Sequence, residues 1–133
     1  MAEFFEAKAG DGKPVVSGFL TLTDGGAVLQ LFGGTLEHVG SVTVCLPRPS
    51  LADGDRTSVT SSVINLPSHK EELVGRPAAE MLAAALNMPV VCIAGIHVDG
   101  ATSDDIKLLT ENCEEVVRLL MRSAERKGVG RWE

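Results

Sequence analysis

The sequence predicts an α+β domain in which a mixed, mainly antiparallel β-sheet carries two main helices packed on one face. Alternating apolar and polar residues, which are typical of strands, fill the first half of the chain up to about residue 65. Beyond that point the apolar spacing becomes helical, and the predicted order is helix, strand, helix. Strands followed by helices are typical of α+β domains.

Turn residues bound the predicted strands of the first half. Asp24-Gly25-Gly26 separates two of them, and we expect a hairpin there because glycine readily adopts positive φ. Pro47 and Pro49 are expected to end another strand, since proline has no backbone N–H to donate. The strands predicted in this half are 4–8, 15–23, 27–32, 41–46 and 57–65.

Two helices and one more strand are predicted in the second half. The first helix is expected to start at a capping box beginning at Ser68 and to reach about residue 87, with a kink near Gly75-Arg76 caused by Pro77. The apolar run 90–96 predicts a strand buried on both faces. Thr102 is the predicted N-cap of the second helix, and a loose tail of this single domain is expected from about residue 127.

Composition excludes several classes of function. The chain has 133 residues, enough for one domain, and its 18 acidic and 12 basic residues give a net charge of −6. Nucleic acid and anionic membranes are therefore not expected partners, because both attract basic surfaces. The chain also has no apolar run near the ~20 residues that span a bilayer. Its three cysteines are widely spaced, which indicates reduced, buried thiols in a cytoplasmic protein.

The polar chemistry concentrates around three histidines, all at element ends or in glycine-bordered loops. His38 follows Gly33, Gly34 and Thr35, and paired glycines let backbone N–H groups converge on an anion such as a phosphate. An ordinary connection between two strands is the alternative for this loop. The pattern matches neither a dinucleotide-binding fingerprint nor a P-loop.

The other two histidines also lie where a ligand could bind. His69 falls in the predicted first turn of the first helix, where the N–H groups and the helix dipole favour an anion. His97 ends the buried strand, and Asp99 is expected on the same side, where it would orient the imidazole. Arg48, between two prolines, is a candidate phosphate contact. Ordinary surface or loop side chains are the alternative in each case.

Other classes of function stay open from the residues alone. A small metal-dependent enzyme of a hydrolase-like kind would place His38, His69 and His97 around one metal, although close histidine spacing is absent. An interaction subunit would use the glycine loops only for packing. Homodimerisation through an exposed strand edge is a further expectation for so small a chain.

Three local strings together resemble the prenylated-flavin chaperone family, which includes the small D subunit associated with gallate decarboxylase. The strings are Gly33-Gly34-Thr35 with His38-Val39-Gly40, His69-Lys70-Glu71, and Ala94-Gly95-Ile96-His97-Val98-Asp99. The similarity covers roughly residues 29–106 in the same order and includes every histidine. The family pattern has a proline immediately before the first histidine, where this chain has Glu37.

The resemblance implies a non-catalytic accessory protein. Such a protein would bind prenylated FMN, or FMN, as cargo and supply it to a prenyl-flavin-dependent decarboxylase, with a flavin prenyltransferase as a further partner. The expected cofactor-binding residues are the matching motif positions together with Arg48: Gly33, Gly34, Thr35, His38, Arg48, His69, Lys70, His97 and Asp99.

Overall fold

The computed structural model describes residues 2–66 and 72–126. The elements follow the predicted order of five strands, a helix, a strand and a helix. They are β1 (Glu3–Ala9), β2 (Val16–Leu22), β3 (Ala27–Gly34), β4 (Ser41–Pro49), β5 (Thr57–Asn65), α1 (Glu72–Leu86), β6 (Val90–His97) and α2 (Ser103–Arg126). Neither helix of the described ranges is long and apolar enough to cross a membrane.

One six-stranded sheet contains all the strands, in the order β1-β2-β3-β6-β4-β5. Only β3 and β6 run parallel, and every other neighbouring pair is antiparallel. The expected hairpin joins β2 to β3, with the Thr23 N–H donating to the Gly26 carbonyl at 2.9 Å. The mixed, mainly antiparallel sheet and the two helices confirm the predicted α+β class.

Both helices pack on the same face of the sheet. Alternate residues of the four central strands point to that face and form the core with the helices, as Leu20, Leu29 and Cys92 do. The apolar stripe of α2 is buried as its spacing predicts, except that Ile106 in the first turn is 42% exposed. The buried side chains of α2 are Leu109, Cys113, Val116, Val117, Leu120 and Ala124.

The opposite side of the sheet, which we call the open face, carries the alternate side chains of the same strands. Its centre is apolar, although no described helix covers it. The prediction that β6 is buried on both faces is wrong for the single chain, because Val91 and Ile93 on this face are only half-buried. The open face consists of Phe4, Glu6, Lys8, Ser17, Phe19, Thr21, Val28, Gln30, Phe32, Val42, Val44, Leu46, Arg48, Ser58, Thr60, Ser62, Ile64, Val91 and Ile93.

Strand β4 continues through the two prolines that were expected to end it. Its even-numbered residues hydrogen-bond to β5, because Ser50 N donates to Arg56 O and Leu66 N donates to Gly40 O. The nitrogens of Pro47 and Pro49 therefore face the other side, where pairing with β6 has already ended at Cys45. A missing donor costs nothing on an unpaired side, so the strand tolerates both prolines.

The helix ends follow recognisable local chemistry. Thr102 caps α2 as predicted: its hydroxyl accepts from the Asp105 N–H at 3.1 Å, and its own N–H donates to the Asp105 carboxylate at 3.0 Å. Helix α1 runs on through Pro77, and Asn87 follows its last turn with a φ of 50°, a common way to leave a helix. The predicted capping box of α1 and the expected tail from residue 127 lie outside the described residues.

Candidate ligand-binding site

The carboxyl ends of the two parallel strands meet at one end of the sheet. Gly34, the last residue of β3, is the register partner of His97, the last residue of β6. Helix α1 ends just before β6 begins, so α1 starts at the same end of the sheet, and α2 starts there as well after the turn that follows β6. We call this region, with the loop 35–40, the histidine end. Open α/β sheets commonly bind ligands beyond the carboxyl ends of parallel strands.

Two of the three histidines come together at the histidine end. The ring centroids of His38 and His97 lie 6.3 Å apart, edge to face at 79°. The Nδ1–H of His38 donates to the Leu36 carbonyl at 3.1 Å, and the Nε2–H of His97 donates to the Asp99 carboxylate at 2.7 Å. In a His97 imidazole that donates from Nε2, Nδ1 is the acceptor nitrogen. The expected orienting contact between Asp99 and His97 is therefore present.

The glycines of this region serve close packing. The loop that carries His38 crosses Gly95 so closely that a Cβ there would occupy the space of the His38 carbonyl. Gly34 has a φ of 76°, and a Cβ there would clash with the backbone of His97. Only glycine fits both positions, so the two residues hold the loop against the end of β6.

Nearby backbone donors are already engaged. The Gly34 N–H donates to the Val15 carbonyl at 3.0 Å, and the Thr35 N–H donates to the His97 carbonyl at 2.7 Å. The Thr35 hydroxyl lies 3.2 Å from the same His97 oxygen and donates to it. These bonds leave neither N–H group for a phosphate. Gly33, Gly34 and Thr35 therefore support the histidine pair, and an anion at this end needs other donors.

The first turn of α2 does not supply such donors. Asp104 and Asp105 make it acidic, and the cap between Thr102 and Asp105 already closes it. The pKa of the Asp105 carboxyl is held below its ordinary value, mainly by the hydrogen bond from the backbone N–H of Thr102 and secondly by the Thr102 side chain. This carboxyl is therefore charged at neutral pH. Helix α1 starts at the same end of the sheet, at Glu72. His69 and Lys70, which come before it in the sequence, lie outside the described residues.

Arg48 lies far from the histidines. It stands seven residues beyond Ser41 on β4, whose start is the register partner of Ala94 near the histidine end. At ~3.3 Å per residue this places Arg48 roughly 23 Å away along the strand. Its Nε donates to the Thr60 hydroxyl at 2.8 Å and one terminal nitrogen donates to the Pro49 carbonyl at 3.3 Å. The structure thus brings together six of the candidate residues, Gly33, Gly34, Thr35, His38, His97 and Asp99, and separates Arg48 from them.

A shallow groove on the open face was not among the sequence predictions. It encloses about 420 Å³ beside β1, and its lining includes Phe4, Phe19 and Gln30. The apolar alternation of β2 and β3 predicts apolar side chains on both faces, but which of them stay uncovered depends on where the helices pack. The groove is open and its lining is mixed, because Glu6, Thr21 and Gln30 lie beside the aromatic rings. It reaches as far as Gln30 on β3, the register partner of Ile93 on β6.

The metal-enzyme alternative gains no support. Within residues 2–66 and 72–126, no three histidine, cysteine, aspartate or glutamate side chains converge as a metal site would require. His69, the third proposed ligand, lies outside those ranges. Of the two described histidines, His38 uses Nδ1 to bond the Leu36 carbonyl, and His97 uses Nε2 to bond the Asp99 carboxylate.

Comparison with known proteins decides the family. A family model described as the prenylated flavin chaperone LpdD-like domain matches residues 11–125 of the chain. The protein belongs to this prenylated flavin chaperone family. The resemblance inferred from the three histidine strings is thereby confirmed, and the match includes both parallel strands and both helices of the histidine end. No curated protein matches the sequence of this LpdD-like chaperone domain.

The fold of the LpdD-like domain also occurs in a different chaperone. A chain in the crystal structure of a novel chaperone complex for yeast 20S proteasome assembly aligns with a TM-score of 0.57 and 10% sequence identity. The alignment covers 95% of this chain and 97% of the yeast chain. At that identity the similarity establishes a shared fold and nothing more.

Proposed function

We propose that this LpdD-like protein binds prenylated FMN, or FMN, at the histidine end and supplies it to a prenyl-flavin-dependent decarboxylase. The observation that carries the proposal is the pairing of His38 with His97, which come from separate parts of the chain in a member of a flavin-chaperone family. The paired imidazoles lie where a ligand can reach them, since the side chain of His97 is 45% exposed.

The chemistry of the pair suits the polar parts of a flavin. An isoalloxazine ring has one N–H donor between two carbonyl acceptors, and its ribityl chain has hydroxyl groups that both donate and accept. The imidazole of His97, whose Nε2–H donates to Asp99, has Nδ1 as an acceptor for such groups, and the His38 ring lies beside it. Asp99 fixes the orientation of His97, and the Gly95 crossing fixes the loop of His38.

The phosphate of the cargo is assigned to the start of α1. Helix N-termini attract anions through unpaired N–H groups and the helix dipole, and His69 and Lys70 stand three and two positions before Glu72, where this helix begins. The alternative at the same end, the start of α2, is already capped by the hydrogen bonds between Thr102 and Asp105. Arg48 has no part in this assignment because it lies at the other end of β4.

A carrier also has to release its cargo, and the surface position of this site favours release. The histidine pair lies on the surface, so binding does not require the core to open. We therefore expect micromolar rather than nanomolar affinity, with a decarboxylase acting as the tighter acceptor. The three buried free thiols suit a reducing compartment, so we propose the cytoplasm as the location.

Binding is tested by titrating the purified protein with prenylated FMN and with FMN while following flavin fluorescence. His38→Ala and His97→Ala are each expected to weaken binding by about tenfold, the loss of roughly one hydrogen bond to a polar ligand. Arg48→Gln is the matched control and is expected to bind as the unmodified protein does. Saturable binding that depends on Arg48 and not on the histidines would contradict the assignment.

Delivery needs a separate experiment. The loaded protein is mixed with a decarboxylase prepared without prenylated FMN, and the appearance of decarboxylase activity is compared with that produced by free prenylated FMN. Faster or more complete activation by the loaded protein is expected, and loaded His97→Ala should lose the advantage. Equal activation by free cofactor and loaded protein would leave a binding protein without a delivery role.

A further inference from the structure

We propose that the open face of the sheet is the interface of a homodimer, in which two copies of this chain pack sheet against sheet. This inference goes beyond the proposed function and does not depend on it. It rests on the composition, the size and the charge distribution of the open face. All residues of this face lie within 2–66 and 72–126.

The open face exposes more apolar side chains than is usual for a sheet face in contact with water. Phe4, Leu46 and Ile64 are 71%, 49% and 69% exposed, and Phe19 is 39% exposed. Ile93, in the central strand β6, is still only half-buried. Apolar residues on both sides of a central strand are typical of a strand that is covered on both faces. The helices cover one face, so a second cover for the other is indicated.

The size of the face matches what a stable dimer needs. Six strands spaced ~4.8 Å apart, with about seven residues each at ~3.3 Å, have a footprint of roughly 650 Å². Specific protein–protein interfaces bury about 600–1,000 Å² on each partner. A smaller partner, such as a single helix, would leave much of the apolar surface in water.

Charges are confined to the margin of the face. Glu6 and Lys8 lie on the edge strand β1, and Arg48 lies at the end of β4, beyond its pairing with β6. The open-face positions of β3, β6 and β4 up to Leu46 carry no charge. Burying the centre therefore removes no charged group from water, which is the main cost of forming an interface. Anionic lipid is a poor occupant, because the chain carries a net charge of −6.

A second copy fits this surface better than pairing through a strand edge does. Two sheets with the same twist pack face to face at an angle of about −30°, so a copy of the same sheet is complementary in shape. The edges offer less: β1 presents the charged residues Glu6 and Lys8, and β5 is rich in serine and threonine. Face-to-face packing buries the apolar side chains that edge pairing would leave exposed.

The experiment measures the mass of the full chain in solution by light scattering and sedimentation between about 1 and 100 µM. A mass of twice 14.0 kDa is expected for the unmodified protein. Phe19→Glu and Leu46→Glu place a charge on the face and are each expected to raise the dissociation constant at least tenfold. Leu51→Glu is the matched control, since Leu51 is 95% exposed in the loop between β4 and β5, and it should stay dimeric.

Circular dichroism establishes that each variant is folded. If Phe19→Glu does not fold, Leu46→Glu decides alone, because half of its side chain is already in water. A thermal midpoint that rises with concentration in the unmodified protein and not in Leu46→Glu supports the same conclusion. A monomer at 100 µM, or a dimer that both substitutions leave intact, would overturn the proposal, the second result pointing to edge pairing.

Discussion

The backbone carbonyl of His38 lies where the side chain of any residue larger than glycine at position 95 would begin. This contact joins the loop 35–40 to strand β6, and it explains how a histidine from a loop comes to face a histidine at a strand end. The geometry of the candidate site therefore depends on one glycine that contributes no chemistry of its own.

Gly95→Ala is expected to displace the loop and separate the two imidazoles. The free energy of unfolding should fall by about 1–3 kcal/mol, as it does when atoms are forced into a packed region, and prenylated FMN should bind more weakly. Urea unfolding and flavin titration measure the two effects. Gly54→Ala is the control, because a Cβ at Gly54 meets no atom within 4 Å. Unchanged stability and binding in Gly95→Ala would contradict the role assigned to the crossing.

The cap of α2 makes stability depend on pH in a defined direction. The pKa of the Asp105 carboxyl is lowered by its hydrogen bonds with Thr102. The stabilisation from these bonds is therefore complete above the unfolded pKa of ~3.9 and is lost as the pH falls through the lower folded value. Asp105→Ala should be less stable than the unmodified protein at pH 7, and the difference should shrink toward pH 2.

Urea unfolding at both pH values measures this difference. Asp104→Ala, in the same helical turn, is the control and should show a smaller change with pH. Thr102→Ala should lower stability by about 1 kcal/mol at neutral pH, the usual cost of losing an N-cap side chain. A difference between Asp105→Ala and the unmodified protein that is equal at pH 7 and pH 2 would argue against the cap.

The three cysteines should be chemically silent in the folded protein. Burial raises the pKa of the Cys113 thiol to about 12, and burial is also the main reason that the pKa values of Cys45 and Cys92 are raised. A neutral thiol reacts poorly with disulfide reagents. Labelling with an aromatic disulfide reagent at pH 8 should be slow in buffer and complete for three thiols in denaturant. Rapid labelling of the native protein would show that the core opens readily.

A small polar network ties α1 to the sheet near its outer strand. The Ser61 hydroxyl donates to Glu80 at 2.9 Å, and Glu80 also lies 3.4 Å from the Arg76 guanidinium. Ser61→Ala should lower the free energy of unfolding by about 1 kcal/mol, the net value of a hydrogen bond to a charged acceptor in a half-buried setting. Ser62→Ala, whose side chain lies on the open face, is the control and should be close to neutral in urea unfolding.

Local patterns predicted the elements well because their causes are local. The 3–4 spacing in α2, the alternation in β5 and the Thr102 cap each depend on neighbours within a few residues. The continuation of β4 through Pro47 was not predictable in this way. It depends on which side of the strand is paired, and that follows from the position of β6 in the sheet.

The sequence predicted which types of residue form the candidate site, but it predicted less well which of the candidate residues lie together. The sequence indicated that His97 and Asp99 would lie together, because residues only two positions apart in the chain are close in space. The approach of His38 to His97, and the distance of Arg48 from both, depend on sheet order and register. Those are set by contacts between distant segments, which periodicity does not specify.

The most direct test of the central claim observes the histidine rings themselves. The chain has three histidines, so their imidazole signals can be assigned in NMR spectra of histidine-labelled protein with single His→Gln variants. Addition of prenylated FMN should shift the ring signals of His38 and His97 saturably, with the same dissociation constant as the fluorescence titration. Saturable binding of prenylated FMN that leaves both rings unchanged would contradict the account.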